Sequence, residues 1–229
     1  MDTHVVSKQR VIDHGEVYTR PREVNAMLDL VKQETERIDS RFLEPACGTG
    51  NFLAEVLTRK LRVVEDRYRR SRLEYERNAV LAVTSIYGID ILADNVGRCR
   101  ERLFELFDAA YTRLFKSEAH DACRTAVQYI LCQNIVHGDA LTLQSVGDNP
   151  QPIVFPEWSP VSGSLLKRRD FTFHELISQE RIRAMPLFSD LGEDAFIPTP
   201  VREYPLVHYL KVAEADTKST GIPSSNSSE

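Results

Sequence analysis

The sequence predicts an α/β fold built on a doubly wound, mostly parallel sheet, and three observations carry that expectation. Short apolar stretches end in acids at Glu44, Asp90 and Asp139. Amphipathic helical patterns lie between them, the alternation that gives parallel strands joined by helical crossovers. The first stretch, Arg41-Phe42-Leu43-Glu44, runs directly into Pro45-Ala46-Cys47-Gly48-Thr49-Gly50-Asn51-Phe52-Leu53, which reads as a strand, a tight turn and a helix. Gly48 and Gly50 permit positive φ and close approach of a ligand, and the first amides of the next helix point into the same crevice. A dinucleotide fingerprint would need a third glycine at Phe52 or Leu53, and a P-loop would need Gly-Lys-Ser/Thr; neither is present.

A chain of 229 residues has room for one substantial domain but not two large ones. Its apolar runs fall far short of the ~20 residues that cross a bilayer, and Met1-Asp2-Thr3-His4 lacks the apolar core of a signal peptide. A cytoplasmic location without membrane contact is expected. Cys47, Cys99, Cys123 and Cys132 make no CxxC pair, which fits a reducing compartment; those outside the turn read as small buried apolar residues. No zinc-ligand or Ser-His-Asp spacing is present, so no metal is expected. The net charge of −5 argues against a nucleic-acid binder that uses its whole surface. One block is nevertheless basic, with Arg59, Lys60, Arg62, Arg67, Arg69, Arg70 and Arg72 against Glu65 and Asp66, and Lys167-Arg168-Arg169 forms a smaller cluster. Both have the charge to meet phosphates, although a solvated helix face looks the same.

Along the chain, Thr19 and Pro21 suit the start of a helix carrying Val24, Met27, Leu28 and Val31. A second helix follows Gly50, with Phe52, Leu53, Val56 and Leu57 on one face. Residues 59–77 predict an exposed helical extension or hairpin, and 79–86 an apolar helix. Gly50 and Asp90 are thus forty residues apart, against ~20 in dinucleotide folds, so about 59–85 is an insertion. Ile86-Tyr87-Gly88-Ile89-Asp90-Ile91 is the second strand. Its carboxylate sits where a ribose diol would donate two hydrogen bonds, and Asp94 is placed to cap the next helix. Helices over 95–117 and around Ala122–Leu131 precede a third strand ending at Asp139. Asn149-Pro150-Gln151-Pro152 reads as a turn, and Ile153–Phe155 as a fourth strand. The domain is expected to span 1–180, with an irregular arm over 181–213 and a disordered tail over 214–229.

The segment Glu44-Pro45-Ala46-Cys47-Gly48-Thr49-Gly50-Asn51-Phe52-Leu53 resembles the S-adenosylmethionine (SAM) motif of DNA adenine-N6 methyltransferases of restriction-modification systems. That motif is close to Asp-Pro-Ala-Cys-Gly-Ser-Gly-Asn-Phe-Leu; here Glu44 replaces Asp and Thr49 replaces Ser. Tyr18-Thr19-Arg20-Pro21 is similar to the family's Tyr-Thr-Pro-Pro, with Arg20 departing from the first proline. Tyr87-Gly88-Ile89-Asp90-Ile91 is close to its second motif, and Ile135-Val136-His137-Gly138-Asp139-Ala140-Leu141 to its Ile-x-x-Gly-Asp-x-Leu. The resemblance, over about residues 9–160, implies the class I SAM-dependent methyltransferase fold. It implies SAM held by Tyr18, Thr19, Glu44, Ala46, Cys47, Gly48, Gly50, Asn51, Phe52, Asp90, Ile91, Asp139 and Ala140. Thr19 would lie near the methionine carboxylate, Asp90 at the ribose and Asp139 at the adenine amine.

An adenine-N6 enzyme also needs Asn/Asp-Pro-Pro-Tyr/Phe after its next strand. The exocyclic amine is a poor nucleophile, so side-chain and main-chain oxygens must accept its hydrogens while an aromatic ring stacks on the flipped base. No such tetrapeptide occurs. Pro156, Glu157 and Trp158 stand at that place as the candidate catalytic segment, with Phe155 where Asn or Asp belongs. Room for a DNA-reading domain is also lacking. Two expectations follow: a SAM-dependent adenine-N6 methyltransferase acting on DNA, or a catalytically degenerate SAM-binding or assembly subunit that works with partner chains of a restriction or phage-defence complex.

Overall fold

The computed structural model describes residues 19–177 and 199–218. Tyr18, arm residues 181–198 and tail residues 219–229 lie outside the described residues. Helix α1 (Pro21–Leu30) begins at its proline, whose fixed φ suits a first turn. Its N-cap is Arg20, not the expected Thr19, and the Glu23 carboxylate accepts the Arg20 N–H at 3.2 Å. A short helix α2 (Lys32–Thr35) leads to strand β1 (Phe42–Glu44).

The basic block folds as a helical hairpin, α3 (Asn51–Tyr68) and α4 (Arg72–Thr84), with the Ser71 hydroxyl accepting from the Glu74 N–H at the turn. Much of it is core rather than the expected exposed extension. Leu53, Val56, Leu57, Leu61 and Val64 of α3 and Tyr75, Ala79, Val80 and Val83 of α4 are buried. So is Lys60. Its ammonium donates to the carbonyls of Arg37 (3.0 Å), Ile38 (3.0 Å) and Ser40 (2.5 Å) and to the Ser85 hydroxyl (2.9 Å), closing the chain end that feeds β1. Burial pushes its pKa down to about 7, opposed by Asp39 and Glu34. Lys60→Met would strand those carbonyls without a donor, and the expected loss of stability is about 3 kcal/mol, read from the midpoint of urea unfolding.

Strand β2 (Ile86–Asp90), helix α5 (Ala93–Phe115), helix α6 (Asp121–Asn134) and strand β3 (Ile135–Asp139) follow. Helix α5 starts after Leu92, so Asp94 lies inside its first turn instead of capping it. Strands β1, β2 and β3 pair in parallel, and a two-residue β4 (Gln144–Ser145) adds antiparallel to β3, giving the order β1-β2-β3-β4. The chain is therefore α/β with a mixed, mostly parallel four-stranded sheet. All five residues of β2 are buried, as a strand covered on both faces must be. Ile86 joins the main core with the helices; Tyr87 and Ile89 join a smaller cluster with Ile153, Phe155 and Phe173.

That smaller cluster is where the chain departs from the expected fourth parallel strand. Ile153 lies just outside strand β5 (Val154–Ser162), which pairs antiparallel with β6 (Leu165–Thr172) in a separate sheet joined by β7 (Arg202–Glu203) and β8 (Val207–His208). The described part of the expected arm thus contributes two short strands to this sheet between irregular stretches, and Tyr209–Lys218, reaching into the expected tail, is a helical segment of 3-10 type. A buried acid ties that segment down. Glu76, 2% exposed, accepts hydrogen bonds from the hydroxyls of Tyr111 on α5 and Tyr209, the latter at 2.7 Å.

Candidate functional site

The parallel strands all end on one side of the sheet, and the turns that follow build a crevice there. Cys47 N–H donates to the Ile89 carbonyl at 2.9 Å, stitching the Gly48 turn to β2. Gly48 has φ +50° and its N–H donates to Asp90 Oδ2 at 2.7 Å. Asp90 Oδ1 accepts from the Leu92 N–H at 2.9 Å and from Asn95 at 3.2 Å. This buried carboxylate therefore locks the turn after β1 to the start of α5; a ribose diol would have to share its remaining lone pairs. The N–H of Leu141 donates to Asp139 Oδ1 at 2.8 Å, which leaves Oδ2 without a partner among the described residues. Leu143, in the same loop, adopts φ +60°, a strained conformation for a side-chain-bearing residue.

The two motif glycines have different reasons. A Cβ at Gly48 would meet nothing within 4 Å, so this backbone faces open space, whereas a Cβ at Gly50 would lie 2.6 Å from the Cys99 sulfur. Gly50, with φ +80°, is the N-cap of α3 packed against α5. Of the two, only Gly48 has open space in front of its backbone. Cys47 and Cys99 are both buried, and their mutual hydrogen bond, then burial, pushes the Cys47 thiol pKa far up. That cysteine is packing, not a nucleophile. Of the other cysteines, Cys123 is buried as expected and Cys132 is exposed.

Glu44 ends β1 beside this turn, and its Oε2 is buried without a hydrogen-bond partner. Burial, then the charge of Asp90, raises its pKa from the ordinary 4.5 to about 8. Between those values the folded chain keeps a proton that the unfolded chain has released. The resulting stabilisation is complete below pH 4.5 and lost as the pH rises to 8. The thermal midpoint is expected to fall across that window, and Glu44→Gln to flatten the fall. Two apolar side chains flank the crevice in the open: Ile91 after β2, 47% exposed, and Leu141 after β3, 95% exposed. The Nε2 of His137 lies 3.0 Å from the Ile91 carbonyl, a contact that steadies this turn. Ile91 was among the expected cofactor residues, whereas the exposed Leu141 was not, because in the sequence it merely continues an apolar strand.

Thr19 and Asn51 line a separate cleft of about 150 Å³ at the N-terminus of α3, with Asn25, Glu55, Thr58 and Arg102. Arg102 donates to the Asn51 side-chain oxygen. Asn51, the first residue of α3, follows directly on the Gly48 turn and is the cleft's one link to it. Ala46 is exposed on that turn and Ala140 half-buried after β3, while Phe52 packs inward against the main core.

Pro156, Glu157 and Trp158 are not brought to the crevice. They lie inside β5, where the Pro156 carbonyl accepts from the Tyr87 hydroxyl at 2.8 Å. Glu157 is held by Arg41 (2.7 Å) and Arg169 (2.6 Å), whose charges keep its pKa below the usual carboxylate range despite partial burial. Trp158 is buried and donates to the Asn134 side chain at 3.0 Å. The candidate acceptor segment is structural because the strand it ends was expected to join the first sheet and instead forms a hairpin. Both basic clusters change meaning too. Lys167 pairs with Glu203, Arg168 with Asp170 and Asp216, and Arg169 with Glu157. Arg67, Arg69 and Arg70 are exposed but lie in the last turn of α3 or just past it, about 25 Å along its axis from the glycine turn. Among the described residues no acid, histidine and cysteine grouping could hold a metal ion, and no helix is long and apolar enough to cross a membrane.

Set against protein-family models, curated proteins and solved structures, the chain has no match.

Proposed function

We propose that this chain carries the SAM-binding half of an adenine-N6 DNA methyltransferase of the restriction-modification type, on a sheet of the class I methyltransferase kind. One observation supports the reading: at the C-terminal ends of the three parallel strands a Cβ at Gly48 would meet nothing within 4 Å, while Glu44 Oε2 is buried without a partner, Asp139 Oδ2 has none among the described residues, and Ile91 and Leu141 are exposed. These groups fit the cofactor. Ile91 and Leu141 offer apolar surface for a purine, Asp139 an acceptor for its amine, and Gly48 room for the main chain of the ligand. Glu44 offers a carboxyl that a cationic neighbour would ionise, and Arg102 with Thr19 and Asn51 offers polar contacts for an amino-acid carboxylate. When bound, SAM supplies a methyl group on a sulfonium. The chain's part is to hold the donor in line and away from water.

The acceptor side is not furnished by Glu157 and Trp158, which are engaged in β5. That observation favours a second reading, a SAM-binding or assembly subunit without catalysis of its own, within a multi-chain restriction or defence complex.

The test is calorimetric titration of the folded chain with SAM. Gly48→Asp is the diagnostic variant, because aspartate tolerates the left-handed backbone yet fills the open space and sets a second carboxylate beside Asp90. At least about a tenfold loss of affinity is expected. A folded parent chain that binds no SAM would sink both readings.

A further inference from the structure

The polar side chains that line the cleft between α1, α3 and α5 divide into those engaged within the protein and those left idle. Asn25 donates to the Pro21 carbonyl at 2.9 Å, and its side-chain oxygen accepts from Arg59 at 2.8 Å. Glu55 is paired with Arg59 at 3.1 Å, and Arg59 also holds Asp29 at 2.9 Å. The Thr58 hydroxyl donates to the Ala54 carbonyl at 2.8 Å. Arg102, Asn51 and Thr19 remain. Arg102 stands on α5 one turn past the Cys99 that packs against Gly50. Among the described residues its one hydrogen bond goes to the side-chain oxygen of Asn51, and no carboxylate neutralises it. A guanidinium only donates, so the Asn51 oxygen must face it and the amide NH2 is the end left over. The Thr19 hydroxyl has no partner among the described residues. Helix α3 adds to the same bias, because no side chain caps its N-terminus and its first turn holds no acid. The idle groups of the cleft are therefore donors gathered around one uncompensated positive charge.

We propose that Arg102 is the charged anchor of an anion subsite in this cleft, that the Asn51 amide and the Thr19 hydroxyl donate beside it, and that it selects ligands ending in a carboxylate. The inference rests on the SAM reading for the ligand, whose one anionic group is the carboxylate of its amino-acid end. Asn51 is three residues past Gly48, so the anchor stands close in the chain to the backbone that has open space in front of it. The planar pair of carboxylate oxygens matches the fork of a guanidinium, which the single ammonium of a lysine does not reproduce. Arg102 lies outside every sequence motif that pointed to SAM, and its role comes from the fold alone: α5 carries it to the first turn of α3, fifty-one residues away.

The test is a cycle that removes the side chain and the ligand group in turn. The full chain and its Arg102→Met variant are titrated calorimetrically with SAM and with decarboxylated SAM, which keeps the sulfonium and the amine but lacks the carboxylate. The parent is expected to bind SAM about 10–100-fold more tightly than the analogue, the scale of hydrogen bonds to a charged group. Arg102→Met is expected to bind the two alike, its affinity for SAM having fallen to that of the analogue. Arg102→Lys, with the charge but not the fork, is expected to recover only part of the preference. Should the methionine variant fail to fold, Arg102→Gln, which keeps a donor for the Asn51 oxygen without the charge, decides in its place. A parent without preference for SAM overturns the proposal, and so does a variant that weakens both ligands equally, since Arg102 would then only shape the cleft. The two failures stay apart: SAM bound without preference for its carboxylate sinks this inference alone, whereas a folded parent that binds neither ligand sinks the cofactor reading and the inference with it.

Discussion

Arg168→Leu is expected to cost about 3–5 kcal/mol, the largest single loss in this chain, read as a fall in the urea midpoint. Arg168 is 4% exposed. It grips both oxygens of Asp170, at 2.7 and 2.9 Å, and reaches Asp216 (3.0 Å), Gln133 (3.1 Å) and the Tyr129 hydroxyl (2.5 Å). Its guanidinium also stacks over Tyr204 at 4.3 Å. The variant keeps a similar apolar stem but leaves Asp170, itself 6% exposed, as a buried charge that loses both guanidinium hydrogen bonds and keeps the one from the Tyr204 hydroxyl. The harm lies in that orphan carboxylate more than in the lost pair. Arg168→Leu combined with Asp170→Leu is therefore expected to recover most of the loss. A double variant as unstable as the single one would refute this account.

Gly50→Ala is expected to lose about 2–4 kcal/mol from two separable causes. A left-handed backbone at φ +80° costs an alanine about 1–2 kcal/mol. The new methyl would also press on Cys99, whose sulfur would lie at 2.6 Å and whose Cα at 3.6 Å, and overpacking of this kind costs about 1–3 kcal/mol. Adding Cys99→Ala removes the clash but not the backbone strain, so a double-mutant cycle should return roughly half the loss. Complete recovery would show that the conformation of the turn carries no strain.

The first half of the chain was legible because its elements obey simple periods. Three short apolar stretches ending in Glu44, Asp90 and Asp139 became three parallel strands, and the apolar stripes of α3, α5 and α6 pack on them. The inward-facing residues of β6 conceal its nature. Its buried positions Leu166, Arg168 and Asp170 alternate with period two before Phe171 is buried as well, and two of them are charged, so a count of apolar residues sees only a basic loop. Arg168 pairs with Asp170 two residues on and also with Asp216, 48 residues away, and a one-dimensional pattern announces neither the burial of the pair nor the distant acid. Pro156 and Pro160 obscured β5 in the same way, because proline argues against a central strand. In the site, the turn was legible from its glycines, but not the division of labour between Gly48 and Gly50, which depends on Cys99 packing from α5. Nor did strand-end acids reveal that Asp90 spends its hydrogen bonds on the protein while Glu44 keeps an idle oxygen.

The clasp of Tyr209 on Glu76 bears on how the protein emerges from the ribosome. The two residues are 133 positions apart, and contacts of such long range close late. Synthesis at about 5–20 residues per second leaves a nascent chain for several seconds with α4 made and its acid lacking one of its two tyrosine donors. During that interval Glu76 keeps its Tyr111 donor on α5, but the carboxylate oxygen that later accepts from Tyr209 is expected to hold water instead. Truncation just before Tyr209 is thus expected to mimic the late-translation state, with faster hydrogen exchange of the amides around Glu76 than in the full chain.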